Sequence, residues 1–196
     1  MRVGGIVLAA GRSSRMGSAK ALLEIEGRTF LERALGILAG GGCEPLVVVL
    51  PDGASAGRAG ELARAGGAEA VENPLAGAEQ IDSLRVGLAA LPDDLDAAVV
   101  LPVDHPLARA ETVRALVGAF GASGAPIVRP VYRDRPGHPV LFARAVWGEL
   151  ADPTLDRGAR DVVHRHAGEL LDVPLDDRGV HVDVDTPDDY RREVKP

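Results

Sequence analysis

The feature that most restricts this chain is a rhythm of short, wholly apolar runs. Gly5 to Ala9, Pro45 to Leu50 and Ala97 to Leu101 hold no charged or hydrogen-bonding side chain, and segments of helical periodicity lie between them. A run with no polar side suits a strand covered on both faces, as in a parallel sheet packed between helices. Thr29 to Leu38 places Phe30, Leu31, Ala34, Leu35, Ile37 and Leu38 at helical spacing, and Gly40-Gly41-Gly42 ends the helix. Ile81, Leu84, Leu88 and Leu91 share one side of another helix, and Ala110 to Phe120 repeats the period. The remaining pattern predicts a helix over Ser55 to Ala65, a strand over Ala68 to Glu72, strands at Pro126 to Val128 and Val140 to Phe142, and a helix through Leu150. Strands are expected at Leu170 to Val173 and Val180 to Val184, with a last helix starting at Pro187. Such alternation predicts a three-layer α/β/α sandwich with a mainly parallel, mixed, Rossmann-like sheet and right-handed crossovers. No internal repeat or long linker divides it, so residues 1–196 read as a single domain.

Composition narrows the function classes. Apolar residues make up 46% of the chain but aromatic residues only 3%, so Val, Leu, Ala and Ile must fill the core. A single cysteine, Cys43, excludes a disulfide framework or a thiolate metal cluster. The net charge of -7 argues against a broad nucleic-acid surface, which would have to neutralise many phosphates, yet leaves room for a local basic pocket. The first apolar run is too short for a signal-peptide core, and no stretch has membrane-spanning length, so cytoplasm is the expected compartment. The scarcity of aromatic anchors favours a monomer.

In open sheets of this class, ligands bind beyond the carboxyl ends of the strands. The conspicuous polar stretches fall there: Gly11 to Lys20 after the first strand, Asp52 after the second, Asp104-His105 after Leu101, and Asp185 near the last. The first of these belongs to "LAAGRSSRMGSAK", Leu8 to Lys20. Gly11, Gly17 and two serines let backbone N–H groups approach an anion, while Arg12, Arg15 and Lys20 supply cationic heads suited to phosphate oxygens. Neither the P-loop nor the dinucleotide-binding glycine pattern is matched.

The run Leu8-Ala9-Ala10-Gly11, then Ser13, Arg15-Met16-Gly17 and Lys20, resembles the signature of the MobA-like nucleotidyltransferases, which act in molybdenum cofactor synthesis. Their wider superfamily includes the nucleotide-diphospho-sugar pyrophosphorylases. Four further stretches resemble the family in the same order: "GAEQIDSLRVGL" from Gly77, Leu101 to Pro106 around Asp104, Arg135 to Phe142 with its Gly-His-Pro, and "VDVDTPDDY" from Val182 to Tyr190. The resemblance implies transfer of a nucleoside monophosphate from an NTP to a phosphorylated acceptor, with Mg2+, releasing pyrophosphate. It places Leu8, Ala9, Ala10 and Gly11 at the nucleotide, with Arg12 and Gly17 in the same loop and Arg15 and Lys20 on phosphates. Asp52, Gln80 and Ser83 are candidates beside base or ribose, although Asp52 also suits a turn and Gln80 a helix cap. His105 and His138 are candidates for the acceptor side, and Gly158 to Asp161 looks like a family segment near the acceptor.

Phosphoryl chemistry requires charge neutralisation on oxygens that become more negative. Asp104, fixed at the end of an apolar strand, is a suitable ligand for a hard cation, and Asp185 is the expected second ligand. Asp183 shares its alternation and is the competing choice, while Thr186-Pro187 reads as a helix cap followed by a first-turn proline. An anionic acceptor needs no strong base, so Asp104, Arg15 and Lys20 suffice as the catalytic set.

Ala10, where the guanylyl branch tends to carry glycine, and the Gly-His-Pro segment resemble the cytidylyl branch, which favours CTP over GTP. The favoured acceptor is molybdopterin. Lys20-Ala21-Leu22-Leu23-Glu24 lacks the proline common in cytidylyltransferases, which keeps a sugar phosphate or another cofactor precursor open. Two rivals from other classes are a nucleotide-binding regulator and an insertion chaperone that carries molybdopterin to a molybdenum enzyme without turnover.

Overall fold

Strand and helix alternate as the apolar rhythm requires. The computed structural model describes residues 1–10, 20–75 and 79–194. The strands are β1 (Val3–Leu8), β2 (Glu24–Ile25), β3 (Arg28–Thr29), β4 (Leu46–Pro51), β5 (Ala68–Asn73), β6 (Ala97–Pro102), β7 (Ile127–Tyr132), β8 (Arg135–Pro136), β9 (Val140–Ala143) and β10 (Leu171–Pro174). The helices are α1 (Phe30–Gly40), α2 (Arg58–Ala65), α3 (Gln80–Ala90), α4 (Ala110–Ser123), α5 (Trp147–Leu150), α6 (Ala159–Arg165) and α7 (Pro187–Glu193). No helix of the described residues is long and apolar enough to cross a membrane.

The large sheet runs β10-β7-β9-β6-β1-β4-β5. β1 lies parallel to both β4 and β6, β4 to β5, and β10 to β7. β9 is antiparallel to both of its neighbours, which makes the sheet mixed. The short connection from β7 to β9 explains this, because a parallel return would need a crossover of a dozen residues or more. β8 pairs antiparallel with the end of β7 inside that connection.

Alternation along the strands assigns each side chain to one of two helix layers. Val7, Val48 and Val99 pack with Phe30, Leu31, Leu38, Leu62 and Leu116, so α1, α2 and α4 cover one face. Ile6, Val47 and Val100 pack with Leu84, Leu88, Trp147 and Val162, so α3, α5 and α6 cover the other. The central strands are buried on both sides, the environment that their unbroken apolar character predicts. Gly87 sets the closeness of α3: a Cβ there would lie 2.7 Å from Ile6 Cγ2. A capping box fixes the start of α1, where Thr29 Oγ1 accepts from the Glu32 N–H and the Glu32 carboxylate accepts from the Thr29 N–H.

Three local expectations change. α2 begins at Arg58 instead of Ser55, because Ala54 to Gly57 close a turn, with the Gly57 N–H donating to the Ala54 carbonyl at 3.2 Å, and Gly57 is extended at the helix start. α6 occupies a segment to which periodicity assigned no element, since Val162 is its only buried side chain and seven residues hold too few turns to show a pattern. Val180 to Val184 does not form a strand. Arg178–His181 is a 3-10 turn, and the residues after it run on without a strand partner.

Asp177 is the cause of that last difference. Its buried carboxylate accepts from the Gly179 N–H at 2.9 Å, the Arg109 N–H at 3.0 Å and the Thr112 hydroxyl at 2.6 Å. It therefore caps the start of α4 from a position 68 residues away in sequence. Gly179 follows because a Cβ there would stand 1.9 Å from the Leu107 carbonyl oxygen. Replacing Asp177 by alanine leaves two N–H groups and a buried hydroxyl without their acceptor. Urea denaturation of Asp177→Ala should show a loss of about 2–4 kcal/mol, with an unchanged midpoint overturning the capping role.

Candidate active site

The site is assembled at the carboxyl ends of β1 and β6. Beyond Pro102 the chain turns: the Val103 N–H donates to the Leu8 carbonyl at 3.0 Å and the His105 N–H to the Pro102 carbonyl at 3.1 Å. These bonds tie the Asp104 backbone to the sheet edge. The Asp104 carbonyl then accepts the Val184 N–H at 2.9 Å, which clamps a segment 80 residues away onto the strand tip. Val184 is fully buried and Asp185 follows it. The Asp185 N–H and the cap of α7 are oriented by the Asp189 carboxylate, which accepts from Asp185 at 3.3 Å and from Thr186 at 2.9 Å.

Lys20 enters from a third direction, at the start of the 3-10 turn Lys20–Leu22, which is anchored by the buried Ala21. Its Nζ lies 3.5 Å from Asp104 Oδ2 and contacts Asp185 Oδ1 directly. The Lys20 side chain is only 13% exposed, so these contacts sit in a partly dehydrated environment where Coulomb attraction is stronger than at a free surface. Three distant segments thus bring one cation and two carboxylates together. Asp183, by contrast, is exposed and lines a separate cleft with Arg178 and His181.

His105 Nδ1 lies 3.0 Å from Asp104 Oδ1, and the His105 and His138 rings stand 4.7 Å apart at 47°. The His138 N–H donates to the Val180 carbonyl at 3.0 Å, which joins the loop before β9 to the 3-10 turn. His138 also lines a cavity of about 340 Å³ on the α3 and α6 side of the sheet edge. Leu8, Val100, Val140 and Phe142 form its apolar floor, and Glu79, Gln80, Arg157 and Arg160 stand around it. Gly158 enters α6 at φ 61°, close enough to α3 that a Cβ would lie 3.1 Å from Ile81.

The other candidates are distributed as follows. Ala9 is buried, with its N–H donating to the Val49 carbonyl at 2.9 Å, and Ala10 is partly buried. Ser83 is buried too, and its Oγ accepts from Asn73 Nδ2 at 3.0 Å. Asn73, at the end of β5, also accepts the Leu75 N–H at 3.1 Å, so it organises the approach to α3. Nothing in the local sequence singles out Asn73, whose importance comes from its burial. Asp52 lies in the exposed turn after β4. Gly11, Arg12, Arg15 and Gly17 lie outside the described residues.

Burial drives His138 far below the ordinary imidazole range, to about 4, with the charge of His105 adding to the effect, Asp104 opposing it and Arg160 reinforcing it. Burial also works against the Asp104 carboxylate, but the hydrogen bond from His105 and the charges of His105 and Lys20 outweigh it, so its pKa is lowered. The donor set suits a hard divalent cation: two carboxylates reach one positive group, and magnesium is usually held by one or two carboxylates plus waters and phosphates. The two titrations have the same sign. Between pH 6.5 and about 4 the unfolded chain binds a proton at His138 that the folded chain refuses, and Asp104 extends the trend downward. Stability should therefore be full above pH 6.5 and decline as pH falls through about 4. Urea midpoints for His138→Asn should show a shallower decline, by about 1–3 kcal/mol over that window; an equal slope would contradict the buried neutral imidazole.

The sequence profile of the MobA-like NTP transferase domain matches residues 5–170. The chain is 35% identical over 144 residues to the bifunctional enzyme IspD/IspF of Clavibacter michiganensis subsp. michiganensis (strain NCPPB 382), covering 71% of this chain and 33% of that protein. It therefore spans about a third of that relative's length. The crystal structure of Rv0371c from Mycobacterium tuberculosis H37Rv is 34% identical, with a TM-score of 0.83 over 100% of this chain and 99% of that one. A structure of Rv0371c in complex with manganese matches at 32% identity and a TM-score of 0.76, over 99% and 98% of the two chains. The profile match extends from β1 almost to β10 and takes in Lys20 and Asp104, ending before Asp185, and the protein belongs to the MobA-like NTP transferase family.

Proposed function

We propose that this protein moves a nucleoside monophosphate, CMP by preference, from an NTP to the phosphate of molybdopterin and releases pyrophosphate. The observation that carries the reading is the meeting of Lys20 with Asp104 and Asp185 at the carboxyl edge of β1 and β6. Family membership supports the reaction class, and the manganese complex of Rv0371c supports a divalent ion in a relative.

In the reaction, an oxygen of the acceptor phosphate forms a bond to the α-phosphorus of the NTP. The bond between the α-phosphorus and the oxygen bridging to the β-phosphate breaks, and that oxygen leaves with the electron pair as pyrophosphate. Asp104 and Asp185 would hold Mg2+, which when bound lowers the negative charge gathering on the phosphate oxygens. Lys20 faces the same point and stabilises the departing pyrophosphate, and the family resemblance gives Arg15 the same role. The acceptor is already anionic, so no residue needs to remove a proton. His138, neutral above pH about 4, offers the acceptor a hydrogen bond without an added positive charge. The apolar cavity floor beside it suits the planar body of a pterin, with Gln80 at the rim. Ala10 supports a pyrimidine, because its methyl group narrows the space left for a purine. The cytoplasm is the compartment in which such a reaction would find its substrates.

Pyrophosphate release with Mg2+ and molybdopterin, compared across CTP, GTP, ATP and UTP, should give the largest kcat/KM with CTP. GTP as the best donor would overturn the base assignment. Asp104→Asn should lower kcat by about 10²-fold or more while the protein stays folded; a variant at full rate would remove Asp104 from the mechanism. Chelation of divalent ions should abolish release, and Mg2+ or Mn2+ should restore it.

A further inference from the structure

Asp104 offers its two carboxylate oxygens to two different partners. Oδ2 faces the Lys20 ammonium at 3.5 Å, and Oδ1 lies 3.0 Å from His105 Nδ1. The last torsion of an aspartate has no steep rotamer well, so contacts on both oxygens are what fix the plane of the carboxylate. An ionised carboxylate only accepts hydrogen bonds, and Nδ1 therefore carries the proton of this pair. Lys20 is the partner assigned to pyrophosphate, and an ammonium that serves the leaving group cannot also hold Asp104 in place. His105 has no such second duty.

The His105 ring is itself well held. Its side chain is only 13% exposed. The His105 N–H donates to the Pro102 carbonyl at 3.1 Å, and the next residue, Pro106, is buried. The Pro106 carbonyl accepts from Arg33 Nε at 3.1 Å, so α1 grips the turn from outside the sheet. On the ring itself, the His138 imidazole stands 4.7 Å away at 47°, and the His138 N–H is tied to the Val180 carbonyl at 3.0 Å. His105 thus meets Asp104 through one ring nitrogen and rests against a second, anchored imidazole. Such support keeps a short side-chain bond in one geometry.

We propose that His105 is a positioning residue for Asp104: its Nδ1–H holds Oδ1 and so turns Oδ2 towards Lys20 and Asp185, presenting the carboxylate to the divalent ion. The inference rests on the reading above that Asp104 holds that ion. It moves His105 from the acceptor side, where the sequence put it, to the support of a metal ligand. Hydrogen-bond partners of ligating side chains ordinarily change metal affinity by about 10–100-fold when they are removed.

Two substitutions separate the two ring nitrogens. His105→Asn keeps a side-chain N–H near the Nδ1 position, whereas His105→Gln carries its amide out to the Nε2 position. Both are polar and near histidine in size, so neither empties the turn. Mn2+ binding without nucleotide is followed by the EPR signal of the free ion, for the wild type, both variants and Asp104→Asn. H105Q should lose affinity about tenfold or more, and H105N should stay within about threefold of the wild type. Equal losses in the two variants, or no loss in either, overturn the role of Nδ1. Mn2+ that binds D104N as tightly as the wild type overturns the metal reading, and the proposal falls with it. In pyrophosphate release with CTP, Mg2+ and molybdopterin, H105Q should lower kcat about tenfold while the acceptor KM stays within about twofold. A raised acceptor KM at unchanged kcat puts His105 on the acceptor and overturns the positioning role. A wild type without turnover overturns the transfer reading alone, since the Mn2+ titration still decides His105.

Discussion

One ammonium group set between two carboxylates organises the functional end of this molecule. Lys20 reaches both Asp104 and Asp185, and those three residues belong to the start, middle and end of the chain. Lys20 offsets the repulsion between the two like-charged carboxylates, and a shared platform holds the three segments together. The platform is the pair β1 and β6, hydrogen-bonded in parallel from Val3 to Leu8 and covered by helices on both faces. Asp104 contributes twice: its side chain meets Lys20, and its backbone carbonyl holds Val184, the residue before Asp185.

The antiparallel insertion of β9 extends this arrangement towards the histidine pair His105 and His138. Because β9 lies between β6 and β7, the loop leading into it passes the tip of β6, and His138 comes to rest against His105. The same loop is pinned by Val180, whose 3-10 turn is shaped by Asp177. Asp177 in turn caps α4. Among the described residues, a buried carboxylate with no contact to the Lys20 cluster therefore helps decide where the His138 imidazole stands.

Much of the fold was legible before any coordinates. The unbroken apolar runs became the buried strands β1, β4 and β6, and the long periodic segments became α1, α3 and α4 with ends shifted by only a few residues. Thr186-Pro187 read correctly as a cap because capping is a local interaction between a side chain and the next turn. Elements whose shape depends on a distant partner were misread. Val180 to Val184 carries strand-like residues, but Asp177 bends its beginning and the Asp104 carbonyl occupies the Val184 N–H. Asn73 could not be singled out at all, since a polar residue in a sheet becomes informative only once its burial and its bond to Ser83 are known.

The sequence by itself determined the layer architecture and the polar character of the strand ends, because periodicity and side-chain chemistry are written residue by residue. It also supplied every member of the Lys20, Asp104 and Asp185 cluster. Tertiary structure decided which carboxylate joins it: Asp185 meets Lys20, while Asp183 turns to the arginine-lined cleft. The physical reason is that two residues with the same local alternation differ only in what the rest of the fold brings against them.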